Sequence, residues 1–548
     1  MANTATYPDT WIAEDRRLLR RNVAYVLAIL VWALLVYARI YQARFFLDDY
    51  LHLHLTAKID NPLAPFTYDV MMGAFFRPGV FWFWKINYLL GGTNPAIYYA
   101  FNIGLLALSA LLLMQVVQHL TGRKSVAAIA TLLFAVSPVT AVGLLWLSNR
   151  FDLLGAAFFL GSWLLFLRFL KMRRTRQLAA SVLLGAMAYF CKEITVTLPG
   201  VLAASGLFVF WHRATLTRDL AWRVVAVTVP HFLAAAVFVL WRYAILGSMG
   251  GYVGETRVAL SLDYLGRLIA FFGSYVWVFH RPWILALVMA WIVAILARRR
   301  IRAIVADNPV AWFGFAVMVV TALPLLMVLR VEAVMSYQTP RFFFLPGIGA
   351  CIFLAGLYDP AHPAWRRRLA ATLIGVLALG FSINSYLFTN VTRDKTVRAE
   401  ARVRALADFT AENLPAGGGE AIVYACREGQ DVALDSAVKL YRPELRSRAF
   451  VVNCNQSTQV IADQKLYDAR GEDLTFPPTF TKNPNRYEDL IYGIVTTTPR
   501  EIMNNYTEKS AVFAAGPMTH GAYAWLDQKQ LERRLWDLGL VHATVEGE

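Results

Sequence analysis

TLLFAVSPVTAVGLLWLSNRFDLLGAAFFL, residues 131–160, is two apolar runs joined by the short polar turn SNRFD (148–152). A bilayer crossing takes about 20 mostly apolar residues, because an α-helix rises about 1.5 Å per residue through a hydrocarbon core about 30 Å thick. The stretch therefore predicts two consecutive spans, 126–147 and 151–170, meeting in a tight hairpin. Backbone polar groups find no water in hydrocarbon, so such spans must be helical. Runs of the same character recur in both directions, at 23–41, 97–118, 177–191, 194–211, 224–245, 283–298, 310–329, 341–358 and 369–389. The fold class expected is a polytopic α-helical membrane protein with about 11 transmembrane helices.

Composition excludes the soluble alternatives. Of 548 residues, 57% are hydrophobic and 16% charged, against about 25% charged in a soluble chain. Mean hydropathy is +0.46, and disorder is excluded on the same grounds. The net charge of +16 would suggest nucleic acid in a soluble protein. Here the basic residues lie in loops between apolar runs, so membrane lipids are expected as surroundings and no nucleic acid as partner. Lys and Arg gather in cytoplasmic loops. With eleven spans, RRLLRR (16–21), GRK (122–124), KMRRTR (171–176), HRATLTRDLAWR (212–223), ARRRIR (297–302) and WRRRL (365–369) all fall on one side. That places the N-terminus in the cytoplasm. It also requires YLGRLIAFFGSYVWVFH (264–280) to lie along the outer interface without crossing. The Arg- and Ala-rich usage points to a bacterial inner membrane.

Two domains follow. Residues 1–392 form the membrane domain, whose long outer loop 42–96 holds the reactive groups. Residues 393–548 form an extracytoplasmic tail. In it DKTVRAEARVRALADFTAENL (394–414) reads as a polar amphipathic helix, and AIVYAC (421–426) and AFVVNC (449–454) read as strands around a helix at 431–441. A small soluble α/β domain is expected. Cys426 and Cys454 end the two strands and are either bridged or simply buried in the sheet. Cys191 and Cys351 lie in or beside spans and should stay reduced. No repeat of 20–50 residues is present.

The charges at the outer ends carry the chemistry. FFLDDYLHLHL (45–55) sets Asp48 and Asp49 just past the first span. Charge near hydrocarbon is expensive, so an acidic pair there is a functional suspect. One carboxylate is suited to act as general base toward a hydroxyl while the other supports it. His52 falls at helical spacing from both and reads as a hydrogen-bond partner; His54 reads as an interfacial histidine. The set is too small for a metal cage, and no metal or cofactor is expected. Arg77 precedes a dense aromatic run and suits a phosphate or carboxylate. Arg150 and Asp152 in SNRFD, and Lys192 and Glu193 in CKE (191–193), either form local ion pairs that close their turns or line a cleft for an anionic headgroup. Glu332, Tyr337 and Arg341, in RVEAVMSYQTPRFFFLP, join the same side.

Read in order, FFLDDYLHL (45–53), FRPGVFWFWKINYLLGGTNPAIYYAFNIGLLALSALL (76–112), the 131–160 stretch, YFCKEITVTLPGVL (189–202) and TPRFFFLPG (339–347) resemble the GT-C membrane glycosyltransferases. The closest likeness is to the transmembrane O-mannosyltransferases that in animals carry tetratricopeptide tails. It covers roughly the first 350 residues. The chain departs from the family in SPVT (137–140), where His-Pro is usual, and in Thr339-Pro340-Arg341, where Glu usually precedes Arg. The resemblance implies a GT-C fold and a polyprenyl- or dolichyl-phosphate sugar donor. It implies transfer to an acceptor hydroxyl on the extracytoplasmic face, with inversion at the anomeric carbon. Asp48 then matches the general base, with Asp49 beside it. Lys192, Arg341 and Arg77 would meet the donor phosphate, and His52, Arg150, Asp152, Glu193, Glu332 and Tyr337 would support them or face the acceptor. The acceptor is a glycan, a lipid or a protein. The alternative is a transporter or flippase of lipid-linked or anionic substrates.

Overall fold

The computed structural model describes residues 10–46, 48–67, 75–212, 217–247, 308–324, 339–360, 362–413, 420–425, 434–445, 449–453, 460–462, 465–467, 510–517 and 523–525. The helices are α1 (Thr10–Val36), α2 (Asp48–Lys58), α3 (Ala64–Thr67), α4 (Pro78–Gly91), α5 (Pro95–Thr121), α6 (Lys124–Val136), α7 (Pro138–Leu145), α8 (Arg150–Met172), α9 (Thr175–Cys191), α10 (Leu198–His212), α11 (Arg218–Leu246), α12 (Pro309–Ala322), α13 (Phe344–Gly356), α14 (Ala364–Asn413) and α15 (Leu434–Tyr441).

Local chemistry sets their ends. Asn94 caps α5, accepting from the Ala96 N–H at 3.1 Å, and Pro95 takes the first helical position. A proline is suited there because its missing N–H would have no helical partner. The same helix stops at Gly122, whose φ of 70° is the left-handed turn that glycine adopts without strain. Thr217 caps α11, and Gly247 ends it in the same way.

The span expected at 126–147 is broken. Between α6 and α7 the axis turns by 50°. Ser137 leaves the helix in an extended conformation, and its hydroxyl accepts from the Thr140 N–H, starting a new helix at Pro138. Proline removes a backbone donor and clashes with the preceding turn. The break delivers α7 and the SNRFD turn to the acid pair.

Among the described residues, five helices are long and apolar enough to cross a membrane: Pro95–Thr121, Leu147–Met172, Glu193–Trp211, Arg218–Leu246 and Ala364–Glu412. They are six if the bent pair is one span. Asn22–Val36, Pro309–Ala322 and Arg341–Gly356 are apolar but shorter. The expected span 283–298 and the outer segment 264–280 lie outside the described residues. α8 is enclosed on nearly all sides, whereas α11 is peripheral. α12 and α13 pack backbone against backbone. A Cβ at Gly314, Gly349 or Gly356 would run into main-chain atoms of the facing helix. Small residues allow such close approach where lipid gives no hydrophobic drive.

One expectation is corrected by α14. The span 369–389 and the amphipathic helix 394–414 are a single helix of 50 residues. From Phe381 to Asn413 there is neither glycine nor proline to end it, so the boundary placed between 392 and 393 falls inside a continuous rod. Beyond it, β1 (Glu420–Ala425) pairs in parallel with β2 (Ala449–Asn453) and with β5 (Ser510–Pro517). β6 (Tyr523–Trp525) runs antiparallel on β5, and β3 (Val460–Ala462) and β4 (Lys465–Tyr467) form a separate hairpin. α15 connects β1 to β2. Ala425 stands opposite Asn453. Cys426 and Cys454 come next in sequence and lie outside the described residues. Cys191 and Cys351 are free and buried.

Candidate active site

The acid pair opens α2, where the positive end of the helix dipole favours carboxylates. Its two members sit in different surroundings. Asp49 is fully buried. Its Oδ1 accepts from both the N–H and the hydroxyl of Ser148 at 2.6 Å, and its Oδ2 accepts from the Phe46 N–H at 3.1 Å. Burial pushes its pKa up to about 7, and the bonds from Ser148 and Phe46 hold it from rising further. Asp49 thus pins the first loop to the SNRFD turn. Asp48 is only half-buried. Burial raises its carboxyl as well, and the nearby Arg341 guanidinium pulls it back. His52 donates from Nδ1 to the Asp48 carbonyl at 2.9 Å and stacks on Phe81 and Trp84. Burial lowers its pKa to about 4, so it is neutral near pH 7.

The two charged turns trade partners. Asp152 pairs with Lys192 at 3.1 Å. Glu193 takes a two-pronged contact from Arg77, with Nε at 2.9 and 3.1 Å and Nη2 at 2.8 Å, and a further one from Arg242 at 3.0 Å. The local pairs that would close each turn do not form. Residues two apart on a helix, such as Arg150 and Asp152, do not face each other. Lys192 is extended, so its side chain and that of Glu193 diverge. Arg150 turns away, fully buried, to Asn87 and the Tyr98 carbonyl, with its guanidinium 4.7 Å from the centre of the Trp84 ring. It holds α4 and α5 against α8.

The three proposed phosphate ligands come together on aromatic faces. Arg77 lies 4.1 Å from the centre of the Phe151 ring, and the Lys192 ammonium lies 3.9 Å from that same ring. Arg341, in the one-turn helix Thr339–Phe343, lies 4.7 Å over Trp146. It acts electrostatically on Asp48, Asp152 and Lys192 alike. Burial lowers Lys192 to about 8, partly offset by Asp152. Arg77, Arg242 and Lys192 act on Glu193, Lys192, Arg77 and Arg341 on Asp152, and Arg341 on Asp48, so four cations stand among three carboxylates. Glu332 and Tyr337 lie outside the described residues. Among the described residues no group of three or more His, Cys, Asp or Glu is placed to hold a metal.

Sequence reasoning missed Arg242, Ser148 as the anchor of Asp49, and Asn87 as the partner of Arg150. Arg242 did carry a signal, since an arginine inside a long apolar run is itself a functional suspect.

This is a helical membrane protein. Its fold is that of ArnT from Cupriavidus metallidurans in the apo state, with a TM-score of 0.50, 13% identity, and coverage of 90% of this chain and 93% of that one. No family model matches. In sequence the chain is similar to Protein O-mannosyl-transferase TMTC4 of Mus musculus, 29% identical over 212 residues, which is 32% of this chain and 28% of the relative. It is also similar to Protein O-mannosyl-transferase TMTC3 of Homo sapiens, 29% identical over 137 residues, which is 24% of this chain and 15% of the relative. The chain thus spans less than a third of the curated relatives it matches. The resemblance expected from the sequence is found both in these relatives and in the fold.

Proposed function

We propose that the chain is an integral membrane glycosyltransferase that moves a sugar from a polyprenyl-phosphate donor to an acceptor hydroxyl on the extracytoplasmic face, with inversion. The relatives named as O-mannosyltransferases support the reaction class. The observation that carries the reading is the division of labour within the acid pair. Asp49 is locked by three hydrogen bonds. Asp48 keeps an open face, beside a cluster in which cations outnumber acids. In this reading the Asp48 carboxylate takes the acceptor hydroxyl proton. The acceptor oxygen bonds to the anomeric carbon from the face opposite the leaving group. The bond from that carbon to the phosphate oxygen breaks, and polyprenyl phosphate departs with the electron pair. Lys192 and Arg341 stabilise the departing phosphate. Arg77 acts with them, sharing Glu193 with Arg242. A phosphate leaves without protonation, so one base suffices. Its raised pKa makes Asp48 a stronger base than an exposed carboxylate.

The topology belongs to the same proposal. The N-terminus is cytoplasmic, the membrane is a bacterial inner membrane, and the chain beyond α14 forms an extracytoplasmic α/β domain. The acceptor is a glycan, lipid or protein, and no cofactor takes part. The test is purified protein in lipid vesicles, offered polyprenyl-phosphate sugars one at a time with extracted glycans, lipids and proteins, and read by mass spectrometry. Wild type transfers a sugar and Asp48→Asn does not. Equal transfer by both ends the proposal.

A further inference from the structure

The segment that carries the acid pair is gripped from the far end of the chain. Four residues before Asp48, Arg44 pairs through Nε with Glu400 of α14 at 3.0 Å, and its backbone N–H donates to the Thr396 hydroxyl at 3.0 Å. Immediately after Asp49, the Tyr50 ring meets Tyr441 of α15 edge to face at 6.0 Å, with the two hydroxyls 3.4 Å apart. The circuit then closes. The Tyr441 hydroxyl donates to Glu400 Oε1 at 2.9 Å, the same oxygen that takes Arg404 Nη2 at 3.1 Å. The Arg404 guanidinium lies 4.3 Å over the Tyr441 ring. Glu400 is buried and Tyr441 half-buried. One carboxylate therefore ties residue 44 directly and residue 50 through one phenol, and the acid pair lies between the two ties.

The same segment has two further anchors. Asp49 already fixes α2 to the SNRFD turn, and Phe45 packs edge to face on Tyr98. The first holds the buried side of α2, and the second holds the loop before it. Asp48 begins the helix, between Arg44 and Tyr50. A misplacement of about 1 Å in a reacting group lowers rate by about a hundredfold. A tie at each end of a seven-residue stretch is suited to prevent it.

We infer that Glu400 and Tyr441 are positioning residues for Asp48, so that the C-terminal region is part of the working site through α14 and α15. The inference rests on the proposed function, in that Asp48 is taken as the reacting group. The full-length protein in nanodiscs is compared as wild type, Glu400→Gln and Tyr441→Phe. Both substitutions keep side-chain shape while removing the charge or the hydroxyl that closes the circuit. A hydrogen bond to a charged group corresponds to about tenfold or more. Amide exchange over residues 48–58 should rise about tenfold, with exchange in α5 and α8 unchanged. In the transfer assay kcat should fall about tenfold, while KM for the polyprenyl-phosphate donor moves less than about twofold. A purely structural role would lower the yield of folded protein and leave kcat per folded molecule unchanged, which overturns the inference. Unchanged exchange over 48–58 in both variants also overturns it. If wild type transfers nothing, the proposed function falls, and the exchange result alone then decides whether the grip on α2 exists.

Discussion

Helices α8, α9 and α11 hold two buried polar clusters at different depths, built on opposite principles. At the end near the acid pair, charges pair across elements: Asp152 with Lys192, and Glu193 with Arg77 and Arg242. Ten or eleven residues further along each helix, about 15 Å away, there are only hydroxyls, carbonyls and an imidazole. Ser162 donates to the Ser181 carbonyl at 2.7 Å, and Ser181 donates to the Ser162 carbonyl at 2.8 Å. The Ser181 hydroxyl also meets His231 Nε2 at 2.9 Å. In the hydrocarbon interior an ion is too expensive, so small polar groups satisfy one another and stitch the helices. Near the interface a charge survives if it is paired. The deep cluster is held by short mutual bonds among uncharged groups and, among the described residues, leaves only His231 Nδ1 without a partner, whereas the upper one sets four cations among three carboxylates. In the proposed function the upper cluster receives the donor phosphate, while the lower one bonds helix to helix.

The largest effect expected is at Asp48. Asp48→Asn should lower transfer by about 10²–10⁴-fold, the usual loss on removing a general base, with little change in melting. The pH profile carries a sign. A base works only when deprotonated, so activity falls as pH drops through its pKa. Burial raises the Asp48 pKa while Arg341 lowers it. The acid limb should thus lie above the ordinary carboxylate range near pH 4, and Arg341→Ala should move it higher still. A limb that stays in place in Arg341→Ala would separate that arginine from the base.

Next in size is the pair Asp152–Lys192. Asp152→Ala leaves a buried ammonium without its carboxylate, which destabilises by about 3–5 kcal/mol. Thermal unfolding in detergent should show it as a clear drop in Tm. Lys192→Ala and Arg341→Ala are expected to weaken polyprenyl phosphate binding by about tenfold each, measured by titration calorimetry with the lipid in micelles. If neither changes affinity, the cation excess serves something other than phosphate.

How far the sequence carries this comparison depends on separation along the chain. The apolar runs and the SNRFD and CKE turns are local patterns, and so are the strands, observed at Glu420–Ala425 and Ala449–Asn453. They were legible because periodicity and turn residues act over a few positions. The ion-pair partners were not. Arg77 and Glu193 are 116 residues apart, and nothing in CKE says that lysine and glutamate will each look elsewhere. The broken span at Ser137-Pro138 was readable in principle from the proline, yet the run looks continuous by hydropathy. The opposite error occurred at α14, where a change from apolar to polar composition looked like a boundary although the backbone contains no signal to stop. The unequal roles of Asp48 and Asp49 were also beyond sequence, because they depend on Ser148 arriving from the far side of the α6–α7 bend.

The smallest expected effect tests the lower cluster. Hydrogen bonds between helices inside a bilayer contribute only about 0.6 kcal/mol on average, since the unfolded chain in lipid finds partners too. Ser181→Ala should therefore lower Tm slightly and leave both transfer and polyprenyl phosphate affinity within about twofold of wild type. The serine hydroxyl bridges α9 to α8 and α11 at once, so its loss removes bonds to Ser162 and His231 together. His231→Ala, which keeps the two serines paired, should cost no more than Ser181→Ala unless the imidazole also fills space beside Phe166. A separate His231→Phe variant restores the ring without the nitrogen and isolates the hydrogen bond from the packing. A loss of transfer in Ser181→Ala at unchanged Tm would collapse the distinction between the two clusters, because the deep one would then be linked to the chemistry some 15 Å above it.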